Sequence, residues 1–293
     1  MKITRFSISK SDIIQYFNDL PQRVFSKDDI SNILSDQRRF WRLSASLRVD
    51  PFIDLLLNNT KLEKHVLNFK TIEIVRYTWG DIDIIELASN LRKKGYLSHY
   101  TAMSYHGLTE QIPKSIYINI EQAAKDVPNK NINQKNIDIA LNQKAKLSTN
   151  YADYRGYKIF LLNGKSTGLL GVDKIETDAK ANLLLTNLER TLIDIIVRPD
   201  YSGGIFEVLK AYSNASENVS INKLMAYLKA MDFTYPYHQC IGFLMQATGK
   251  FNESQLQLVR KLRIEYKFYL IHGMQEPQFS KDWNIYYPKD LQF

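Results

Sequence analysis

Cys240 is the only cysteine in a chain of 293 residues, and that limits what the chain can fold into. No disulfide framework and no multi-thiolate metal site can form within it. Its stability has to come from buried apolar surface, and at 44% hydrophobic residues the chain carries enough for a packed core. The length fits two domains, or a small head on a larger body. A lone thiol also fits a reducing compartment. Residues 1–10 carry Lys2, Arg5 and Lys10 but no apolar stretch, so they do not read as a secretory signal. No apolar run is long enough to cross a bilayer, so the expected location is the cytoplasm, with no membrane partner.

Lys and Arg outnumber Asp and Glu by 39 to 31, a formal charge of +8. A cationic surplus favours polyanions, because neutralised phosphates release condensed counterions. The margin is modest, and where the cations lie matters more than their total.

The first eighty residues read as a helix-turn-helix. Ile13, Ile14, Phe17 and Leu20 form one helical stripe over Ser9–Leu20, which Pro21 stops. Ser26 and Asp29 make an S-x-x-D cap ahead of Ile30, Ile33 and Leu34. A third helix is expected from Ser35–Asp36 to Arg48, with Phe40, Leu43 and Leu47 buried, Arg38, Arg42 and Ser46 on an adjoining face and Arg39 at its flank. A helix that buries one side and offers Arg, Ser and Gln on another suits the major groove; the plainer reading is a solvated basic face. A further helix follows over Asp54–Asn59. Two short strands are expected over Val66–Phe69 and Ile72–Tyr77, the second alternating Ile72, Ile74 and Arg76 against Glu73, Val75 and Tyr77, with a wing tip at 68–71. Lys64, Lys70 and Arg76 are then placed for phosphate, or serve only as strand-edge gatekeepers.

The body reads as mixed. Helices are expected over Asp83–Arg92, Ser98–Tyr105, from a T-x-x-E capping box at Thr186–Glu189 to Pro199, and over Ile205–Tyr212, Ser220–Met231 and Ser254–Phe268. Strands are expected at Ile116–Ile120, Ile137–Ala140 and Tyr157–Leu162, and the rest of 121–150 as exposed loops. The expected division is a winged helix-turn-helix over 1–80 and a larger mixed α/β (α+β) body over 81–293.

Leu97-Ser98-His99-Tyr100-Thr101-Ala102-Met103-Ser104-Tyr105-His106-Gly107-Leu108-Thr109, in the body, is similar to the helix-to-strand entry of the AbiEi antitoxin family. Glu189-Arg190-Thr191-Leu192-Ile193-Asp194, continuing to Arg198-Pro199-Asp200-Tyr201-Ser202-Gly203-Gly204, resembles its E-R-T-L-x-D…R-P…G-G signature. Tyr237–Phe243 and Trp283–Pro288 resemble a longer subgroup. The segment around Pro51–Leu62 departs from the short winged-helix pattern. The resemblance implies a type IV antitoxin: a head that represses its own operon by binding operator DNA upstream of its gene, and a body that counters a cognate nucleotidyltransferase-like toxin, with or without a stable complex. It also implies that Glu189, Arg190, Asp194, Arg198 and Asp200 form the antitoxin motif.

The residues also have structural readings. Arg190 and Asp194 are spaced i, i+4 and face each other across one turn, while Glu189 belongs to the expected cap. A cap, an ion pair and a helix stop account for the motif; the functional reading is a polar pocket for the toxin or a nucleotide. His99 and His106 are two turns apart, roughly 10.5 Å of rise, too far to share a metal. Glu265-Tyr266-Lys267 with Asp200 is the nearest approach to a nuclease set, and it is read as lying in a helix. Gly164, Gly168 and Gly171 are not spaced as a phosphate cradle. No catalytic residue, cofactor or metal is called for. Two functions are carried forward: a DNA-binding antitoxin, and an enzyme acting on the toxin or on nucleic acid (phosphoryl transfer or nuclease) through the Arg190, Asp194 and Asp200 region.

Overall fold

In the computed structural model, which describes residues 5–123, 132–177 and 182–291, helix α1 (Arg5–Asp19) buries Ile13 and Phe17, four apart, and gives way before Pro21. Strand β1 (Val24–Phe25) leads into α2 (Lys27–Gln37) through the expected capping box: Asp29 N donates to Ser26 Oγ at 3.1 Å, and Ser26 N donates back to Asp29 Oδ2 at 2.7 Å. Next come α3 (Val49–Asn59) and the antiparallel pair β2 (Leu62–Asn68) and β3 (Glu73–Trp79), in a sheet of order β1-β3-β2.

The expected third helix over 36–48 does not form. α2 ends at Gln37 and residues 38–48 make a run of turns, with Arg42 in the left-handed region at φ 51°. Of the three apolar residues expected to be buried, Leu43 is buried and Leu47 packs against the head core, but Phe40 is 71% exposed while its neighbour Trp41 is fully buried, stacked on Phe52 with ring centres 5.9 Å apart. Anchors at Trp41 and Leu43 are spaced for a turn, not a helical stripe. Arg38 holds the loop closed by donating from Nη1 to the carbonyls of Ser44 at 2.6 Å and Leu47 at 2.8 Å. The helix that follows is longer than expected and takes Pro51 in its first turn, where its missing N–H costs nothing.

The β2–β3 hairpin feeds a core from each of its two faces. Strand alternation sends Leu62, Tyr77 and Trp79 to the head core, with Phe6, Ile13, Phe17, Phe25 and Phe52. The intervening residues face the other way. Leu67 and Ile74, paired in register, join Phe69 in a second core with Leu97, Ile116, Ile118, Ile159 and Leu161 of the body. His65 lies on that side too, bonded to Tyr154 OH at 2.6 Å and Thr78 Oγ1 at 2.8 Å.

The body is mixed α/β. After α4 (Ile84–Ser89), strand β4 (Tyr96–Leu97), α5 (His99–Tyr105), β5 (Ser115–Glu121), α6 (Gln134–Leu141), β6 (Tyr151–Tyr154), β7 (Tyr157–Gly164), β8 (Val172–Glu176) and β9 (Asn182–Thr186) build a six-stranded sheet of order β6-β7-β5-β4-β9-β8. β5 runs parallel to β7 and β4 to β9; the other pairings are antiparallel. One face of the sheet meets the hairpin and α4. On the other, Tyr117 and Leu162 pack with Tyr201. The largest core is helical, from α7 (Leu188–Val197), α8 (Ile205–Ala215), α9 (Ile221–Met231), α10 (Tyr237–Ala247) and α11 (Glu253–Arg260). It is closed by the small sheet of β10 (Phe268–Tyr269), β11 (Gln278–Ser280) and β12 (Ile285–Tyr287). Two of the strings noted above meet here. Gly242 lies so close to Trp283 that a Cβ would fall 2.1 Å from the ring, and Gln239 Nε2 donates to the Trp283 carbonyl at 2.8 Å.

Three other expectations are corrected. Residues 137–140 belong to helix α6, not a strand: Asn133 caps it, and Ile137 and Leu141 bury one side at a spacing of four. The last helix stops at Arg260, not at Phe268, because Phe268 pairs with Ile285 in the small sheet. α4 stops at Ser89 rather than Arg92. The loop expected over 121–150 falls partly on 124–131, outside the described residues. Among the described residues, no helix is long and apolar enough to cross a membrane.

Candidate polar pocket of the body

Helix α7 is buried on every side, although it carries Glu189, Arg190 and Asp194. Each charge therefore needs a partner. The cap expected at Thr186 sits one residue later: Asn187 accepts from Arg190 N at 3.2 Å, while Thr186 pairs hydroxyls with Thr191 at 2.8 Å. Glu189 is not spent on the cap. It accepts from Ser220 N at 3.0 Å and pairs with Lys223 at 2.9 Å, tying α7 to the start of α9. Burial works to raise its carboxyl, but Lys223 and Ser220 outweigh that and hold it below the usual range.

Arg190 and Asp194 form the expected i, i+4 pair at 2.9 Å, almost wholly out of water. The rest of the guanidinium is also bonded. Nη1 donates to Leu170 O at 2.6 Å and Thr167 Oγ1 at 3.2 Å, and Nη2 donates to Tyr96 OH at 3.1 Å. Glu121, at the end of β5, accepts from the backbone N–H of Thr167 at 2.9 Å and of Gly168 at 3.0 Å, and from the Thr167 hydroxyl. Burial acts to raise Glu121, yet these bonds and the Arg190 charge keep it below the ordinary carboxylate range. Asp194 is less well served: Oδ2 is buried without a hydrogen-bond partner, and burial pushes the carboxyl up against the opposing pull of Arg190.

Above this pair lies a cavity of about 400 Å³, walled by His99, Asn119, Gly164, Arg190, Asp194 and Tyr201 and rimmed by Lys146, Lys165 and Arg198. His99 opens α5 with φ 52°, a conformation costing a non-glycine residue about 1–3 kcal/mol. It is held by Ser98 Oγ at 2.8 Å from Nδ1 and by the edge of Tyr201, ring centres 5.5 Å apart. Burial, helped by the charges of Arg190 and Arg198, pushes its pKa down to about 3, so the imidazole is neutral at pH 7. Asn119 donates to Tyr96 OH at 2.8 Å and leaves Oδ1 buried without a partner. Gly164 makes room for that amide, since a Cβ there would sit 2.6 Å from Asn119 Nδ2. Lys165 donates to Asp232 O and covers the ring of Phe233. Lys146 and Arg198 are exposed, and neither side chain makes a hydrogen bond or ion pair among the described residues.

Of the expected motif, Arg190, Asp194 and Arg198 share this cavity; Glu189 is engaged elsewhere and Asp200 is exposed outside its lining. His99, Asn119, Lys146 and Lys165 were not anticipated there; the one available signal was His99 within the first of the family-like strings. The nuclease set does not assemble. Glu265 lies in irregular chain, paired with Arg263 at 2.9 Å, on a different cavity. No group of three or more His, Cys, Asp or Glu placed to hold a metal occurs among the described residues.

In the head, Arg39, Arg42, Ser46 and Arg48 are exposed on the 38–48 loop, and Lys64 is exposed on β2. Three of the expected DNA-contacting residues are otherwise engaged. Arg38 holds its own loop, Lys70 donates to Thr149 Oγ1 at 3.2 Å, and Arg76 donates to the carbonyls of Asn90 at 2.8 Å and Leu91 at 2.6 Å.

No protein-family model and no curated protein matches the chain. Among solved structures it is similar to the RV2827C protein from Mycobacterium tuberculosis, at a TM-score of 0.56 and 14% identity, over 96% of this chain and 91% of that one. At that identity the likeness shows the fold alone.

Proposed function

We propose that the chain is an AbiEi-like antitoxin and that the body pocket is its neutralising centre against a nucleotidyltransferase-like toxin. One observation carries this reading. Two of the family-like strings, 97–109 and 189–204, lie far apart in sequence yet line one cavity: His99 from the first, and Arg190, Asp194, Arg198 and Tyr201 from the second. A strained histidine and a buried, half-satisfied carboxylate lower stability, and such groups concentrate where they are used. The test is rescue of growth on co-expression with the neighbouring toxin. Lys146→Glu with Arg198→Glu, both at exposed positions, abolishes rescue while leaving the unfolding temperature unchanged. Full rescue by the double variant overturns the assignment.

The enzyme reading keeps one supporting observation, the neutral His99 imidazole facing the cavity, and it moves away from Asp200. His99→Asn separates the two, because Asn tolerates positive φ. Rescue that survives this change rules out an acid–base role for the ring.

For the head, the order α1-β1-α2-α3-β2-β3 with sheet order β1-β3-β2 supports a winged helix. In that arrangement α3 faces the groove, but here it carries Asp50 and Asp54 and no Lys or Arg. We therefore assign operator contact to the phosphate backbone, through Arg39, Arg42 and Arg48 of the preceding loop. Titration with the DNA upstream of the gene tests this. Changing all three to Glu abolishes binding, and losing each phosphate contact flattens the log–log salt slope by about 0.9. Binding indifferent to the triple change refutes it.

A further inference from the structure

The body pocket has two unmet needs. Among the described residues, Lys146 and Arg198 are cations without a side-chain anion partner, and Asp194 Oδ2 and Asn119 Oδ1 are buried acceptors without a donor. A bare anion answers the first need and leaves the acceptors bare; a sugar answers the second and leaves the cations bare. A buried acceptor left unpaired is costly, so a matching occupant carries negative charge and several O–H or N–H donors in one molecule.

The neighbouring surface narrows this further. Phe233 lies on the wall shared with a second cavity of about 370 Å³, lined by Tyr235, Tyr237 and Tyr266. The Phe233 and Tyr237 rings meet edge-on with centres 5.3 Å apart; Lys165 Nζ lies over Phe233, but Phe233 and Tyr235 are only half-buried, leaving Tyr235 and the rest of the Phe233 ring open to a flat group. Two adjoining cavities, one cationic with orphan acceptors and one aromatic, match a molecule with phosphate, hydroxyl-bearing sugar and base in sequence.

We propose that this double cavity binds a ribonucleotide: the phosphates on Lys146, Lys165 and Arg198, ribose hydroxyls or an exocyclic amine donating to Asp194 Oδ2 and Asn119 Oδ1, and the base in the aromatic cavity. This rests on the pocket being the functional centre. It is tested without the toxin, so failure of binding and failure of neutralisation are separate results.

The experiment is calorimetric titration of the full chain with ATP, GTP, ribose 5-phosphate, inorganic phosphate and adenosine, at low salt without added divalent cation. A nucleoside triphosphate binds saturably and at least about tenfold more tightly than ribose 5-phosphate, phosphate or adenosine. Arg198→Glu and Lys146→Glu each weaken it by about tenfold or more, as expected for lost charge-assisted contacts. Phe233→Ala weakens the triphosphate but leaves phosphate binding unchanged. Unaltered thermal unfolding shows that each variant is folded. The proposal is overturned if no phosphate-bearing probe binds, if phosphate or ribose 5-phosphate binds as tightly as ATP and GTP, or if binding ignores all three substitutions.

Discussion

Replacing Arg190 by Met tests whether the charged layer of α7 is held together as described. Met fills much of the same space but loses the bonds to Asp194, Leu170 O, Thr167 and Tyr96. Asp194, already lacking a partner on Oδ2, then has a carboxylate buried with no partner on either oxygen. Breaking a buried pair in this way costs about 3–5 kcal/mol, a large share of the 5–15 kcal/mol that holds a typical domain. The loss also depends on pH. Without Arg190 the Asp194 carboxyl rises further above its unfolded value. The folded state then holds a proton that the unfolded state has released, so stability falls as pH rises through the folded pKa. Urea unfolding followed by tryptophan fluorescence therefore shows a smaller deficit at pH 5 than at pH 8. Adding Asp194→Leu removes the stranded charge and recovers most of the loss, so the two changes are strongly non-additive. A single variant within about 1 kcal/mol of the parent at both pH values, or additive effects in the double variant, refutes this account.

Three further outcomes are expected. Gly242→Ala gains about 1 kcal/mol of helix propensity but drives a methyl into Trp283; overpacking of that kind costs about 1–3 kcal/mol or more, so differential scanning shows a lower unfolding temperature, and an unchanged one contradicts the contact. Glu121→Gln lowers stability at pH 7 and flattens its fall in acid. The parent's contribution from Glu121 is present above the unfolded carboxyl pKa and disappears as pH drops through the depressed folded value, so equal acid sensitivity in both proteins argues against the loop anchor. A fragment ending at residue 80 bares Leu67, Phe69 and Ile74 and binds a hydrophobic dye or self-associates, whereas a monodisperse fragment that ignores the dye shows that the hairpin needs no partner.

What was legible in the sequence follows the range of the forces involved. The Ser26–Asp29 box, the hairpin strands, helices α8 and α9 and the Arg190–Asp194 pair are written in neighbouring residues, and local rules read them. The 38–48 loop misled because Phe40, Leu43 and Leu47 imitate a stripe, while the buried anchor is Trp41, whose partners Tyr16 and Phe52 come from other helices. The capping box at Thr186 looked complete, yet Asn187 is the better placed acceptor and Glu189 is drawn away by Lys223, which is 34 positions further on. Only part of the pocket was readable. α7 announced Arg190, Asp194 and Arg198, but Asn119 and Lys146 reach it from strand and loop brought together by the sheet order, which no local spacing encodes.

The two-sided hairpin has a consequence for error. Side chains on a strand change faces with every residue, so a slip of one position in the β2–β3 pairing moves every side chain of the shifted strand to the opposite face. In most sheets such a slip damages one core and leaves solvent on the other side. Here β2 sends Leu62 to one interior and Leu67 to another, and β3 sends Tyr77 and Trp79 to the first and Ile74 to the second, so a slip of either strand takes side chains from both. The register is thus specified twice, and alternative pairings are penalised from both sides at once. A head grafted onto a foreign body would lose one of those two guarantees.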